Sequence, residues 1–157
     1  MASALITAIV LSVGGLAVSG VFGLLVASPP DLFRHTSLAI FSTLVNLLSH
    51  SMMMFYLIGK GRAVRDAMTE GGLSGNQYRE IARARVPVFS WATCAMGATI
   101  LTALLGASVD TRVLSSWVHA TCGSGAVALN LLALRHELRA VTTSARVVRE
   151  VNRQLGF

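Results

Sequence analysis

Four apolar segments interrupt this chain, and their length constrains the fold more than any other feature. They cover approximately residues 5–27, 36–59, 86–107 and 113–134. At 1.5 Å per residue, a helix of about 20 residues crosses a hydrocarbon core of about 30 Å. Only 13% of the 157 residues are charged, against about 25% in a soluble domain. The sequence therefore predicts an all-α integral membrane protein, with four transmembrane helices in an up-down bundle.

Basic residues border these segments and predict their orientation. Six of the thirteen Lys and Arg residues lie in the connection 60–85, and five more follow residue 134. Because basic loops stay on the cytoplasmic side, we expect both termini to be cytoplasmic. This placement also explains the pI of about 10.7, since basic residues beside membrane spans contact anionic lipid headgroups. We therefore expect the lipid bilayer, and no nucleic acid, as a partner.

The chain divides at the end of the fourth segment. Residues 1–136 form the predicted transmembrane domain, with 60–85 as its cytoplasmic loop. Residues 137–157 place apolar side chains at helical spacing with arginines between them, which predicts an amphipathic helix on the inner membrane surface or against a partner. Both halves of the chain follow one plan, a hairpin with a short outer loop. We find no residue-level match between them and expect shared topology rather than duplication.

Small and polar residues recur along one face of each predicted span. In the first span Gly15, Ser19 and Gly23 repeat every four residues, a pattern that lets another helix approach closely. Asn46 and Asn130 lie on similar faces of the second and fourth spans. Such faces avoid lipid, so we expect them to converge in a semi-polar seam held by interhelical hydrogen bonds.

Two histidines lie inside predicted spans and are candidate ligands of haem b. His50 and His119 fall on spans two and four, which run in the same direction and lie diagonally in an up-down bundle, as axial haem ligands do. A ligating imidazole needs a partner for its other nitrogen. The candidates for that role are Asn46 and Ser49 beside His50, and Ser115 beside His119.

Depth argues against one shared iron. His50 lies about fourteen residues from the outer end of its span and His119 about six, an offset of roughly 12 Å. Each histidine could instead serve a separate haem. His35 and His136 lie at span ends beside arginines, and we expect them to be solvated interfacial residues.

Copper and a quinone are the alternatives to haem. His50, Met53 and Met54 are close on one helix, and Cys122 follows His119 by three residues. Imidazole, thioether and thiolate together suit Cu(I). A quinone carbonyl could accept a hydrogen bond from His50 or Tyr56 near the inner headgroups.

Several chemistries lack their sequence signals. No Asp or Glu falls within the four predicted spans, so a proton-coupled exporter built on a membrane carboxylate is not expected. The sequence has no phosphate-binding loop, no nucleophile beside a base and no zinc motif. We therefore expect no catalysis by this chain on its own.

By its general plan, the architecture resembles the small membrane-anchor and b-type cytochrome subunits of respiratory complexes, with few helices, inward histidines such as His50 and His119, and basic cytoplasmic ends. The resemblance implies a small subunit of a membrane redox assembly that binds haem b and associates with other membrane subunits. Two alternatives stay open. One is a cofactor-free structural or assembly subunit, whose basic tail binds a partner or lipid. The other is a channel or carrier that assembles with copies of itself.

Overall fold

The computed structural model describes residues 1–156, and within them it is all-helical. The four helices are α1 (Ala2–Leu24), α2 (Pro29–Glu70), α3 (Gln77–Asp110) and α4 (Ser116–Gln154). All four are long and apolar enough to cross a membrane, which confirms the prediction of four long apolar helices. Consecutive helices pack together, α1 also packs on α4, and α2 meets α4 across the centre.

The turns between the helices follow local sequence signals. Ser28 precedes α2, whose first two residues are Pro29 and Pro30, positions where a missing N–H costs nothing. Gly71 and Gly72 end α2, and Gly72 has a φ of +59°, a conformation that glycine adopts without steric penalty. The α3–α4 turn contains Arg112 at φ 60°.

Three of the helices continue well past the apolar segments. The helix α2 has 42 residues and α4 has 39, or about 63 and 58 Å at 1.5 Å per residue, whereas α1 has 23. The ends of α2, α3 and α4 therefore project as a three-helix bundle beyond α1. We call residues 60–85 and 143–156 the basic extension.

The C-terminal residues belong to this extension and do not form the separate helix that we predicted. Residues 137–154 continue α4 without a break. Their apolar side packs inside the protein, because Val147 and Val151 are buried against Val64, Met68 and Ile81 of α2 and α3. The apolar face of this amphipathic segment is therefore covered by the chain itself.

A second apolar cluster lies where the extension joins the four-helix part. It contains Ile9 and Val13 of α1, Met53 and Leu57 of α2, Val88 of α3 and Ala140 of α4. All four helices meet in it. Beyond this cluster the interior becomes polar.

Candidate functional site

A histidine and a glutamate are paired inside the bundle. His50 Nδ1 lies 2.8 Å from Glu137 Oε1, and neither side chain is exposed. The second ring nitrogen of His50, Nε2, lies 2.9 Å from Asn130 Oδ1. Both nitrogens of His50 are therefore engaged by groups on α4.

The hydrogen bonds of Asn130 fix the direction of its contact with His50. Asn130 Nδ2 donates to the Ala126 carbonyl at 2.8 Å and to Thr99 Oγ1 at 3.0 Å. Its Oδ1 must then be an acceptor, so His50 Nε2 carries a hydrogen. Oδ1 also accepts from Asn46 Nδ2 at 2.8 Å.

These contacts belong to a hydrogen-bonded network that links all four helices. Asn46 also donates to Ser12 Oγ of α1 at 3.3 Å, and Thr99 brings in α3. We call the network the polar seam; its members are Ser12, Asn46, His50, Thr99, Asn130 and Glu137. All six are buried. Two of its atoms, Asn46 Oδ1 and Glu137 Oε2, have no protein partner among the described residues.

Glu137 lies three residues beyond the predicted end of the fourth span, yet its side chain is buried inside the bundle. Its partner His50 precedes the predicted end of the second span by nine residues, or about 14 Å. At this level of the bundle the surface carries both apolar residues, Phe55 and Leu138, and the exposed Arg135 and Arg139. The fourth span was predicted to stop at residue 134 because Arg135 and His136 follow it. The missed signal is that Glu137 continues the inward face of Asn130, two helical turns further along.

A second pair of histidines lies toward the opposite end of the bundle. The rings of His35 (α2) and His119 (α4) have centroids 6.0 Å apart and planes at 82°. His35 Nδ1 lies 2.8 Å from the Ser19 carbonyl, and His119 Nδ1 lies 3.1 Å from the Thr102 carbonyl. A carbonyl oxygen only accepts, so Nδ1 donates in both rings and each neutral ring keeps a lone pair on Nε2. Sequence reasoning missed His35 because it lies at a span end beside Arg34.

Glycines let both rings lie against neighbouring helix backbones. A Cβ on Gly23 of α1 would lie 2.9 Å from His35 Cε1, and one on Gly106 of α3 would lie 3.0 Å from His119 Cε1. Distances this short force a shift of the ring. Gly15, which belongs to the same α1 stripe, allows the comparably close approach of Ser42.

The two histidine environments are alike in their local contacts. Each ring bonds the carbonyl of a hydroxyl residue, and a glycine follows that residue by four positions. Eleven positions after each histidine comes Asn-Leu-Leu, and the two asparagines, Asn46 and Asn130, are bonded to each other. Both pairs, histidine and asparagine, meet between α2 and α4. The α1–α2 and α3–α4 hairpins therefore place these few residues at corresponding positions.

This geometry separates the two predicted haem ligands. His50 bonds Asn130, and His119 precedes Asn130 by eleven residues on the same helix, which corresponds to about 16 Å. One iron cannot bridge that distance. The depth offset found in the sequence is real, and each histidine has a different partner at its own level.

The predicted supporting residues are also placed differently. Ser49 donates to the Val45 carbonyl, and Asn46 bonds Asn130 and Ser12, not His50. Ser115 is the residue before α4 and is exposed. The groups that hold His50 are Glu137 and Asn130, and the group that holds His119 is the Thr102 carbonyl.

The residues of the copper alternative do not converge. Met53 is fully buried in the apolar cluster with Ile9 and Leu57, and Met54 packs against a different group of alanines. Cys122 lies on the same helix as Glu137, fifteen residues earlier, or about 22 Å from that level. Among the described residues, no group of three or more His, Cys, Asp or Glu side chains is placed to hold a metal ion.

The basic extension presents a strongly positive surface with few ion pairs. Arg146 bonds Glu80 across α3 and α4. A shallow hollow of about 340 Å³ is lined by Arg146, Arg149, Glu150 and Arg153. Hydrogen bonds from Arg153 and Gln154 lower the pKa of the Glu150 carboxyl. On the exposed side of α4, Arg135 and Arg139 continue this surface into the apolar part of the bundle.

Comparison with known proteins adds no family. The chain matches no family model, no curated protein and no solved structure.

Proposed function

We propose that this protein is a small subunit of a membrane redox assembly, and that its haem b is bound by His35 and His119. The observation that carries the proposal is the 6.0 Å separation of two equivalent rings. Two neutral imidazoles this close together would be able to hold one haem iron between them, each supplying a nitrogen ligand.

The hydrogen bonds of both rings support the same proposal. A ligating histidine commonly donates its second nitrogen to a carbonyl, which fixes the tautomer and makes the ligating nitrogen more basic. His35 and His119 both do this through Nδ1. A haem held by both histidines would supply electron transfer and not catalysis on a bound molecule.

A visible spectrum tests this proposal directly. We expect the purified protein in mild detergent to show sharp α and β bands after dithionite reduction. His35→Ala and His119→Ala should each abolish them. His136→Ala is the matched control, because that histidine stacks on Trp91 and not on another histidine. Bands that survive in His35→Ala would refute the ligand assignment. A flat spectrum from protein that contains stoichiometric copper would assign the pair to a metal ion instead.

The charge distribution supports an orientation with both termini in the cytoplasm. Eleven of the thirteen basic residues lie at or near the end of the bundle that carries the extension, and such residues mark the cytoplasmic side. The His35–His119 pair would then face the outer side. Labelling of single cysteines by an impermeant reagent in intact cells tests this: Val113→Cys should react and Ser74→Cys should not.

A cofactor-free structural subunit is the second candidate, and the polar seam favours it. The seam fills the centre of the bundle with hydrogen-bonded side chains from four helices, which is one way to hold helices together in a membrane. The exposed arginines of α4 would then bind a partner subunit. This candidate predicts a colourless protein that co-purifies with a partner, and that loses the partner but not its fold when Arg146, Arg149 and Arg153 become Gln.

A further inference from the structure

The His50–Glu137 pair takes no part in the redox function proposed above, and its surroundings define where protons can lie. We propose that the pair is a buried proton-binding site, which can gain a proton on Glu137 or lose the proton that Glu137 shares with His50. The proposal does not depend on bound haem. It rests on hydrogen-bond directions, burial and the position of atoms without partners.

The first step counts the protons that the contacts require. His50 Nε2 carries one hydrogen, because Asn130 Oδ1 can only accept. The 2.8 Å contact between Nδ1 and Glu137 Oε1 needs one more hydrogen. With that proton on nitrogen the pair is imidazolium and carboxylate; with it on oxygen the pair is imidazole and carboxylic acid. Both forms have zero net charge and differ only by proton transfer along one hydrogen bond.

The second step identifies the atom that accepts a further proton. Glu137 Oε2 is shielded from solvent and has no hydrogen-bond partner among the described residues. A proton added to Oε2 gives imidazolium and carboxylic acid, with a net charge of +1. Loss of the shared proton gives imidazole and carboxylate, with a net charge of −1. The pair can therefore gain or lose a proton while the hydrogen bond from Nε2 stays in place.

The third step concerns what encloses the pair. Toward α1 and the outer end, the network passes through the Asn130 amide, whose Nδ2 is held by the Ala126 carbonyl, and an amide in a fixed orientation does not relay protons. Toward the basic extension, Ser144 lies seven residues after Glu137 on the same face of α4, and its Oγ is buried without a protein partner. Between them Ala140 packs into the apolar cluster of Ile9, Met53, Leu57 and Val88. The pair is therefore enclosed by the Asn130 amide on one side and by apolar side chains on the other, and it holds its protons out of contact with solvent.

The surrounding helices add few competing groups. The helix α1 has no titratable side chain, and the apolar part of α3 has only Cys94, which is exposed. On α2, Tyr56 packs toward the cluster that contains Ala140 and is contacted by Lys60. On α4, His136 stacks on Trp91, and the neighbouring arginines, Arg135 and Arg139, are exposed. Protonation of the pair is thus decided mainly by its own two members.

Histidine-labelled protein allows a direct test in a membrane mimetic. We would follow the ¹⁵N signals of His50, assigned with His50→Gln, over about pH 4 to 10. We expect Nε2 to stay protonated throughout and the Nδ1 signal to change with pH. Glu137→Gln should move that transition by at least about one pH unit, a tenfold change in proton affinity. Glu150→Gln, which changes a half-buried glutamate on the same helix, should leave it unchanged.

Two outcomes would overturn the proposal. One is a His50 spectrum that is constant over the whole pH range in folded wild-type protein. Another is an unchanged transition in Glu137→Gln. If Glu137→Gln does not fold, the double variant His50→Gln/Glu137→Gln keeps hydrogen-bonding groups at both positions, and it should bind about one proton fewer than wild type; equal proton binding would refute the site.

Discussion

His50 Nδ1 lies 2.8 Å from Glu137 Oε1 in a pair that has no solvent exposure, although the residues are 87 positions apart. Removal of one partner leaves the other buried without compensation, and such a loss costs about 3–5 kcal/mol in proteins. We therefore expect His50→Ala to reduce the free energy of unfolding by that amount, measured by SDS titration in mixed micelles. The double variant His50→Leu/Glu137→Leu should be far less destabilised than the sum of the single changes, because it leaves no unpaired group.

The control for this prediction is Glu150→Ala, since Glu150 is near the surface of the same helix and pairs only with Arg153 and Gln154. Its expected effect is within about 0.5 kcal/mol. If the loss of unfolding free energy in the double variant equalled the sum of the two single losses, the two side chains would contribute packing alone and no interaction with each other.

Asn130 should matter more than Asn46, although the two occupy equivalent places in the two hairpins. Asn130 makes four hydrogen bonds, to Ala126, Thr99, His50 and Asn46. Asn46 makes two, and its Oδ1 has no partner. With about 0.6 kcal/mol for an average interhelical hydrogen bond in a membrane, Asn130→Leu should cost about 2 kcal/mol and Asn46→Leu about 1 kcal/mol in the same unfolding assay. Equal losses of stability in the two variants would show that the number of hydrogen bonds does not determine how much each asparagine stabilises the polar seam.

The histidine pair should be sensitive to two glycines and insensitive to two others on the same helices. A Cβ on Gly23 or Gly106 meets a histidine ring at 2.9 or 3.0 Å, whereas Gly14 and Gly97 have no atom within 4 Å of theirs. Gly23→Ala and Gly106→Ala should each destabilise the protein by about 1–3 kcal/mol and reduce any cofactor bound at the pair. Gly14→Ala and Gly97→Ala are the matched controls, with no expected loss of either. If all four variants lost cofactor, the cause would be the change from glycine to alanine in the helix backbone and not a collision with the histidine rings.

The basic extension should unfold independently of the apolar part of the bundle. Val147 and Val151 are almost completely buried, against residues of α2 and α3 beyond the reach of α1. The double variant Val147→Ala/Val151→Ala removes about four methyl groups and should cost about 2 kcal/mol or more in the extension. Hydrogen exchange measured by mass spectrometry should show faster exchange at 60–85 and 143–154, with residues 5–27 unchanged. Uniformly faster exchange would instead mean one cooperative unit.

Much of the candidate site was visible in the sequence, but its pairings were not. His50, His119, Asn46 and Asn130 were recognised as inward residues because polar side chains at helical spacing avoid lipid. Glu137 was overlooked because the charged residues before it mark the end of an apolar window, and hydropathy averages over all faces of a helix. In the tertiary structure Glu137 lies on the inward face of α4, where it meets His50, whereas Arg135 and Arg139 lie on the exposed face.

His35 shows the same limit in another way. Beside Arg34 and close to Pro29 and Pro30, it has the local features of a solvated interfacial residue. His35 corresponds to His119 only when the two hairpins are aligned with one extra residue in the second hairpin. That alignment had a justification only after the structure placed the two rings side by side.

The sequence by itself determined the class of fold. Long apolar segments, turns with proline or glycine and the clustering of basic residues predict four long helices and their alternation, because these properties depend on local composition and on the cost of burying polar groups in lipid. Only the tertiary structure decided which polar groups meet. Contacts between residues 80 to 87 positions apart depend on the rotation and relative height of each helix, and these follow from the packing of all four helices together. That packing paired His50 with Glu137 and His119 with His35.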